Sequence, residues 1–195
     1  IYADFSGFTD MAIGFARLIG FNITKNFDFP FFAQNIAEYW RKWHISLTSW
    51  LTEYVFTPLS IKFRDYGRSG LILAIIINFT ICGIWHGANW TYLLFGFLHG
   101  CYFIPLILRG TMNKKKKMEK RNFFPTIREF INIIGTFTIV MLTFIIFRAK
   151  SVSEALGYIN IVFSKSFFQI PKFRGEQNTD IMISLVFIFI LLIIE

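Results

Sequence analysis

The chain carries three histidines, His44, His86 and His99, each in an aromatic or apolar setting: WRKWHISL, GIWHGANW and FGFLHGCYF. A neutral imidazole takes a proton from an alcohol and returns it to a leaving group, which is general acid–base chemistry. Burial favours that neutral form. The separations of 42 and 13 residues fit neither HxxxH nor HExxH, so no metal site is expected. No GxSxG motif supplies a nucleophile for a Ser/His/Asp arrangement. Cys82 and Cys101 lie in apolar runs and match neither a disulfide framework nor a zinc spacing. They read as small packing residues.

The histidines differ in context. His99 falls in the middle of an apolar run, where an ionisable side chain is costly and faces the interior of a helical bundle. A hydrogen bond to a neighbouring helix is expected there. His86 stands at the seam of two apolar runs. Trp85 gives it an amphipathic ring, Gly87 permits close approach, and Asn89 and Trp90 add donors. From these residues alone, the reading of His86 as a base does not outweigh a structural role. His44, with Arg41 and Lys42 beside it, has the same two readings. Asp4 and Asp10 are possible buried partners of Arg17, since positions 10 and 17 share a helix face.

The elements that hold these residues are membrane elements. Of 195 residues, 54% are hydrophobic and only 16% charged, against about 25% charged in soluble domains. The net charge is +8, but the aromatics sit in the apolar runs. A nucleic-acid face, which needs exposed aromatics on a soluble fold, is therefore set aside. A spanning helix needs roughly 20 apolar residues. Segments 69–85, 88–108 and 126–147 qualify, and 181–194 starts another. Segment 1–20 is apolar but holds Asp4, Asp10 and Arg17, so its polar side chains are expected to face protein. Segment 32–56 reads as one amphipathic helix with the stripe Trp43, Leu47, Trp50, Leu51 and Tyr54. Segment 151–164 opens with a capping box, Ser151 and Glu154, followed by the stripe Val152, Ala155, Leu156, Ile159 and Phe163. With no Met at its start and an apolar run at its end, the chain reads as a piece of a longer polytopic protein, a single membrane domain over 1–195.

Loop 109–122 holds seven Lys/Arg and one Glu, and loop 61–68 three basic residues and one acid. Both read as cytoplasmic. The two spans between them then form a hairpin with His86 at its turn, toward the outer side or at a re-entrant point, and 148–180 lies outside. The lysine run in 109–122 also suits anionic lipid headgroups.

Three blocks, YADFSGFTDMAIGFARLIGF at 2–21, EYWRKWHISLTSWLTEYVFTPL at 38–59 and GIWHGANWTYLLFGFLHG at 83–100, resemble in order and spacing the bacterial branch of the membrane-bound O-acyltransferases. The nearest likeness is to its alginate-acetylating members. FRAKS…EA at 147–155 is a weaker family feature. The resemblance implies an all-α polytopic bundle with amphipathic or re-entrant helices, of which this chain is a fragment. It implies a catalytic His86 inside a membrane tunnel and a second histidine, His44. Trp85, Asn89, Trp43, Asp4, Ser6 and Asp10 are then candidate tunnel residues. It also implies acetyl transfer to an exported polysaccharide from acetyl-CoA or an acyl carrier, with no bound cofactor. The expected setting is the inner membrane, with lipid and a polysaccharide or a periplasmic acyl-accepting protein as partners and no nucleic acid. D-alanyl transfer toward teichoic acid is the alternative within the family. A transporter or flippase subunit is the alternative outside it, although the paired, broken repeats of such proteins are missing.

Overall fold

The computed structural model describes residues 2–112 and 125–164. These form an all-helical bundle, with no strand among the described residues. The expected span at 181–194, most of loop 109–122 and much of 148–180 lie outside them.

Three helical stretches are long and apolar enough to cross a membrane: Arg64–Trp85, Trp90–Leu108 and Ile127–Arg148. They match the three complete spans expected from the sequence within a few residues. The first contains α5 (Gly67–Trp85), the second α6 (Trp90–Tyr102) and α7 (Ile104–Leu108), and the third is α8 (Ile127–Arg148). Pro105 lacks a donor and divides α6 from α7 at Phe103. Thr126 and Glu129 form a reciprocal capping box at the start of α8.

α5 and α6 make a tight hairpin. Their approach depends on Gly83, Gly96 and Gly100. A methyl group on Gly96 would meet the Phe79 carbonyl, one on Gly83 the Tyr92 carbonyl, and one on Gly100 the Ile76 backbone. Small residues at such crossings let helix backbones touch without a hydrophobic driving force. α8 packs on α6 through Thr143 and Phe144. There the buried His99 has its expected partners. Trp40 Nε1 donates to His99 Nδ1 at 3.1 Å, and His99 Nε2 lies 3.1 Å from Thr143 Oγ1. Because the indole can only donate, Nδ1 is the acceptor and the ring proton sits on Nε2.

Segment 32–56 is not one helix. It divides into α2 (Ile36–Lys42), α3 (Ile45–Leu51) and a π-helical turn (Thr52–Phe56), followed by α4 (Thr57–Lys62). Of the expected stripe, Trp43 and Leu51 are buried and Leu47 is partly buried, whereas Trp50 and Tyr54 are exposed. The break at His44 rotates α3 relative to α2. The π turn precedes Pro58, whose ring excludes an ordinary bond to the carbonyl four residues earlier. α2 enters the core with Ile36, Ala37, Tyr39 and Trp40. Its cap is Asn35, whose side chain accepts from the Glu38 amide at 2.9 Å.

The expected Asp10–Arg17 pair is absent. On α1 (Tyr2–Leu18), Asp4, Asp10 and Arg17 are all exposed, and the inner face is Ser6, Thr9 and Ala16. Positions 10 and 17 share a face but stand two turns apart, roughly 10 Å along the axis. On α9 (Val152–Val162), Ser151 accepts from the Glu154 amide, but Glu154 returns the contact to Lys150 rather than Ser151. The inner stripe there is Val152, Ala155, Ile159 and Val162, while Leu156 and Phe163 are exposed.

Gly96→Ala is expected to force α5 and α6 apart. The overpacking cost is about 1–3 kcal/mol, read as a lower melting temperature of the detergent-solubilised full-length protein. Gly135→Ala, where nothing stands within 4 Å, is the control. Equal stability of the two variants would show that the hairpin is not packed backbone to backbone.

Candidate active site

His86 sits at the turn that joins the first two spans. α5 ends at Trp85, and the His86 and Gly87 amides close the last turn on the Gly83 and Ile84 carbonyls at 3.1 and 3.0 Å. Gly87 has φ +147, and a side chain there would also strike the Tyr92 ring, so the turn demands glycine. Asn89 then caps α6, accepting from the Thr91 amide at 3.2 Å, and donates to the Lys150 carbonyl at 3.3 Å.

His44 sits at the break between α2 and α3, with φ 45 and ψ 54. This left-handed conformation costs a non-glycine residue roughly 1–2 kcal/mol and persists only when its surroundings fix it. A loop before α2 does so. The Asn26 carbonyl accepts from the Ile45 amide at 3.0 Å, and its side-chain Oδ1 accepts from the Ser46 amide and hydroxyl at 3.1 and 2.6 Å. On the other side of the break, the Asp28 amide donates to the Lys42 carbonyl at 3.0 Å. Asn26 therefore holds His44 in place.

The two histidines, distant in sequence, line one cavity of about 230 Å³. Trp85 lies between them, its ring centroid 6.2 Å from His44 and 4.9 Å from His86. Phe5 stands edge-on to His44 at 4.7 Å, and Phe147 edge-on to His86 at 4.9 Å. Trp43, Leu47, Phe95 and Phe144 complete an apolar wall, with Trp40 at one side. Among the described residues no hydrogen bond engages the His86 ring, and His44 Nδ1 is buried without a partner. Both rings line the cavity without a side-chain hydrogen-bond partner among the described residues.

The environment keeps them neutral. Burial lowers the His86 pKa from its usual value. Burial, then the neighbouring His86, lowers that of His44 to about 4, partly opposed by its own backbone. A pair of neutral imidazoles in an apolar chamber accepts protons and offers no charge of its own.

Of the candidate tunnel residues, Trp43 and Trp85 line the cavity with His44 and His86; Asp4, Ser6, Asp10 and Asn89 do not. The two aspartates are exposed on α1, Ser6 is buried in helix packing where its carbonyl accepts from Thr9, and Asn89 is a cap. Phe5, Phe147 and Asn26 were not foreseen. Phe147 opens the FRAKS stretch, the only signal that pointed toward it. Among the described residues no three His, Cys, Asp or Glu side chains could hold a metal ion.

The lowered pKa of His44 makes stability pH-dependent. The unfolded chain binds a proton near pH 6.5, whereas the native ring refuses it until about 4. Stability is fully present above the unfolded value and falls as pH drops through this window. The melting temperature should decline from pH 7 to pH 4, and His44→Gln should flatten that decline. An unchanged slope in the variant would place the proton uptake elsewhere.

The sequence matches the membrane-bound O-acyltransferase family over residues 1–148. It is 35% identical over 189 residues to the "Probable alginate O-acetylase AlgI" of Azotobacter vinelandii, covering 94% of this chain and 34% of that protein. It is also 35% identical over 159 residues to the peptidoglycan O-acetyltransferase of Helicobacter pylori, covering 80% and 28%. To the teichoic acid D-alanyltransferase of Streptococcus thermophilus it is 32% identical over 159 residues, covering 75% and 38%. The chain thus spans about a third of the length of the curated relatives it matches. Since the match takes in both histidine blocks and all three spanning helices, the chain belongs to the membrane-bound O-acyltransferase family.

Proposed function

We propose that the protein to which this chain belongs transfers acetyl groups to hydroxyls of an exported polysaccharide, with the chemistry at the His44–His86 cavity. The observation that carries the reading is the meeting of two neutral imidazoles, from two separate sequence blocks, in one apolar chamber at the turn between two spans. The named functions of the alginate- and peptidoglycan-acetylating relatives support the acetyl group and the polysaccharide class. Transfer of D-alanine, named for other relatives, uses the same chemistry and is the alternative.

In this reading the imidazole of His86 removes the proton from an acceptor hydroxyl. The oxygen attacks the carbonyl carbon of an acyl thioester, an ester bond forms, and the carbon–sulfur bond breaks. The proton passes from the imidazolium to the departing thiolate. His44, which lines the same cavity, assists from across it. The apolar wall excludes water, which would otherwise hydrolyse the thioester. The donor, acetyl-CoA or an acyl carrier, approaches from the cytoplasm. The acceptor, a polysaccharide or a periplasmic protein that relays the acetyl group, meets it on the outer side of the inner membrane.

With isotope-labelled acetyl donor and membranes containing the full-length protein, labelled ester should appear on the polysaccharide. His86→Gln should lower the rate about 10²–10⁴-fold with normal insertion. An active, stably inserted His86→Gln protein would move the base to His44. Export of label without ester formation would favour a transporter. The acid limb of the rate profile should lie below the ordinary histidine value of about 6.5. A reporter fused after Lys116 should behave as cytoplasmic, because loop 109–122 carries seven basic residues. Periplasmic reporter activity there would invert the orientation.

A further inference from the structure

Trp40 borders two cavities. On one side is the histidine cavity of about 230 Å³; on the other is a second space of about 190 Å³, bounded also by Ala37, Leu51, Ile75, Asn78 and Phe103. Among the described residues, Trp40 alone lines both walls. Its side chain is 4% exposed and packs against Phe79 with ring centroids 4.8 Å apart.

The indole is tethered as well as packed. Nε1 donates to His99 Nδ1 at 3.1 Å, which commits the His99 proton to Nε2 and so to Thr143 Oγ1 at 3.1 Å. The Thr143 hydroxyl in turn donates to the Val140 carbonyl at 2.8 Å. The chain ends on the backbone of α8. Turning the indole would strand its N–H among aromatic rings, so the partition stands at a fixed angle.

Resting on the acyl-transfer reading, we propose that Trp40, oriented by His99, limits the size of the acyl group accepted at the histidine pair. The first cavity must hold the acyl group and the acceptor hydroxyl together. Its far walls are the rings of Phe95, Phe144 and Phe147, which pack on one another with centroids 5.0–6.4 Å apart. A longer acyl chain would need the second cavity, which shares Trp40 with the first and whose wall is mainly apolar but includes Arg41, Thr48, Thr52 and Asn78. Trp40 would touch the acyl group and select against length. His99 touches no substrate and acts as a positioning residue through the indole. In an apolar pocket, one methylene more or less is worth roughly 10- to 200-fold in discrimination.

The test is a competition in membranes containing the full-length protein. Acetyl and butyryl forms of the thioester carrier that supports transfer, coenzyme A or an acyl carrier protein, are supplied together, and the butyryl-to-acetyl product ratio is read. Trp40→Phe, which shrinks the partition and removes its N–H, should raise the ratio about tenfold or more. His99→Leu should raise it in the same direction by untethering the indole. His99→Gln, whose amide can accept from Trp40 and donate to Thr143, should keep the wild-type ratio. A merely structural role would lower both rates together and leave the ratio unchanged.

If wild-type protein transfers acetyl and Trp40→Phe transfers it with the wild-type ratio, the size filter is wrong and the acyl-transfer reading stands. If Trp40→Phe loses all transfer, the His99 pair decides: equal ratios in His99→Leu and His99→Gln overturn the proposal, and a raised ratio in His99→Leu alone supports it. If the wild-type protein transfers no acyl group from any thioester, the acyl-transfer reading falls and the filter falls with it.

Discussion

An indole N–H buried in an apolar bundle has to find an acceptor, and in this chain it finds one, His99 Nδ1. Much of the arrangement follows from that single bond. It joins the amphipathic helix α2 to the second spanning stretch. Because His99 must then donate from Nε2, it also joins that stretch to α8 through Thr143. Three elements distant in sequence are thereby fixed to one point in the core, where an unpaired polar group would be costly. The aromatic rings around it, Tyr39, Phe79, Phe95 and Tyr102, exclude water from the junction. With α2 held by Trp40, its C-terminal end is held too, and that end carries Trp43 and His44.

The two histidines of the cavity are placed by different means. His86 needs only local chemistry: a helix end, a glycine turn and a capping asparagine within a few residues. His44 needs help from elsewhere, since its left-handed backbone is unfavourable by itself. Asn26 supplies three hydrogen bonds to the start of α3, which outweigh the strain. A continuous helix through 32–56 would rotate one of the two flanking faces out of the core. The break lets α2 bury Tyr39 and Trp40 while α3 sets off in a new direction, and His44 turns into the space between α5 and α8.

That division explains what could be read from the sequence. The three complete spans were legible because length and apolarity alone define them. The His86 turn was legible because Trp85, Gly87 and Asn89 interrupt an otherwise apolar run. The bond to His99 was legible as a necessity, although its partners were not. The break at His44 was invisible, since apolar residues keep helical spacing across it and its cause lies in a loop eighteen residues earlier. Asp4, Asp10 and Asn89 do not line the histidine cavity, for a common reason. A polar residue in an apolar sequence suggests a buried site, but the end of a helix or its outward face satisfies it equally well. Asn89 does the first and the two aspartates the second.

The cavity's chemistry depends on neutrality from two sources. Apolar burial disfavours the imidazolium at either position, and at His44 a positive charge on His86 would disfavour it further. The pair therefore resists holding two protons together. In the proposed transfer, a base that has taken a proton from a hydroxyl would be under pressure to release it, with the departing thiolate as acceptor. Aromatic walls, which supply no competing donor or acceptor apart from the indole N–H of Trp85 and Trp43 and the indole already committed to His99, leave that exchange to the histidines. A carboxylate such as Asp4 or Asp10 at the cavity wall would raise the histidine pKa values and favour the imidazolium, so the apolar lining is what keeps both rings neutral.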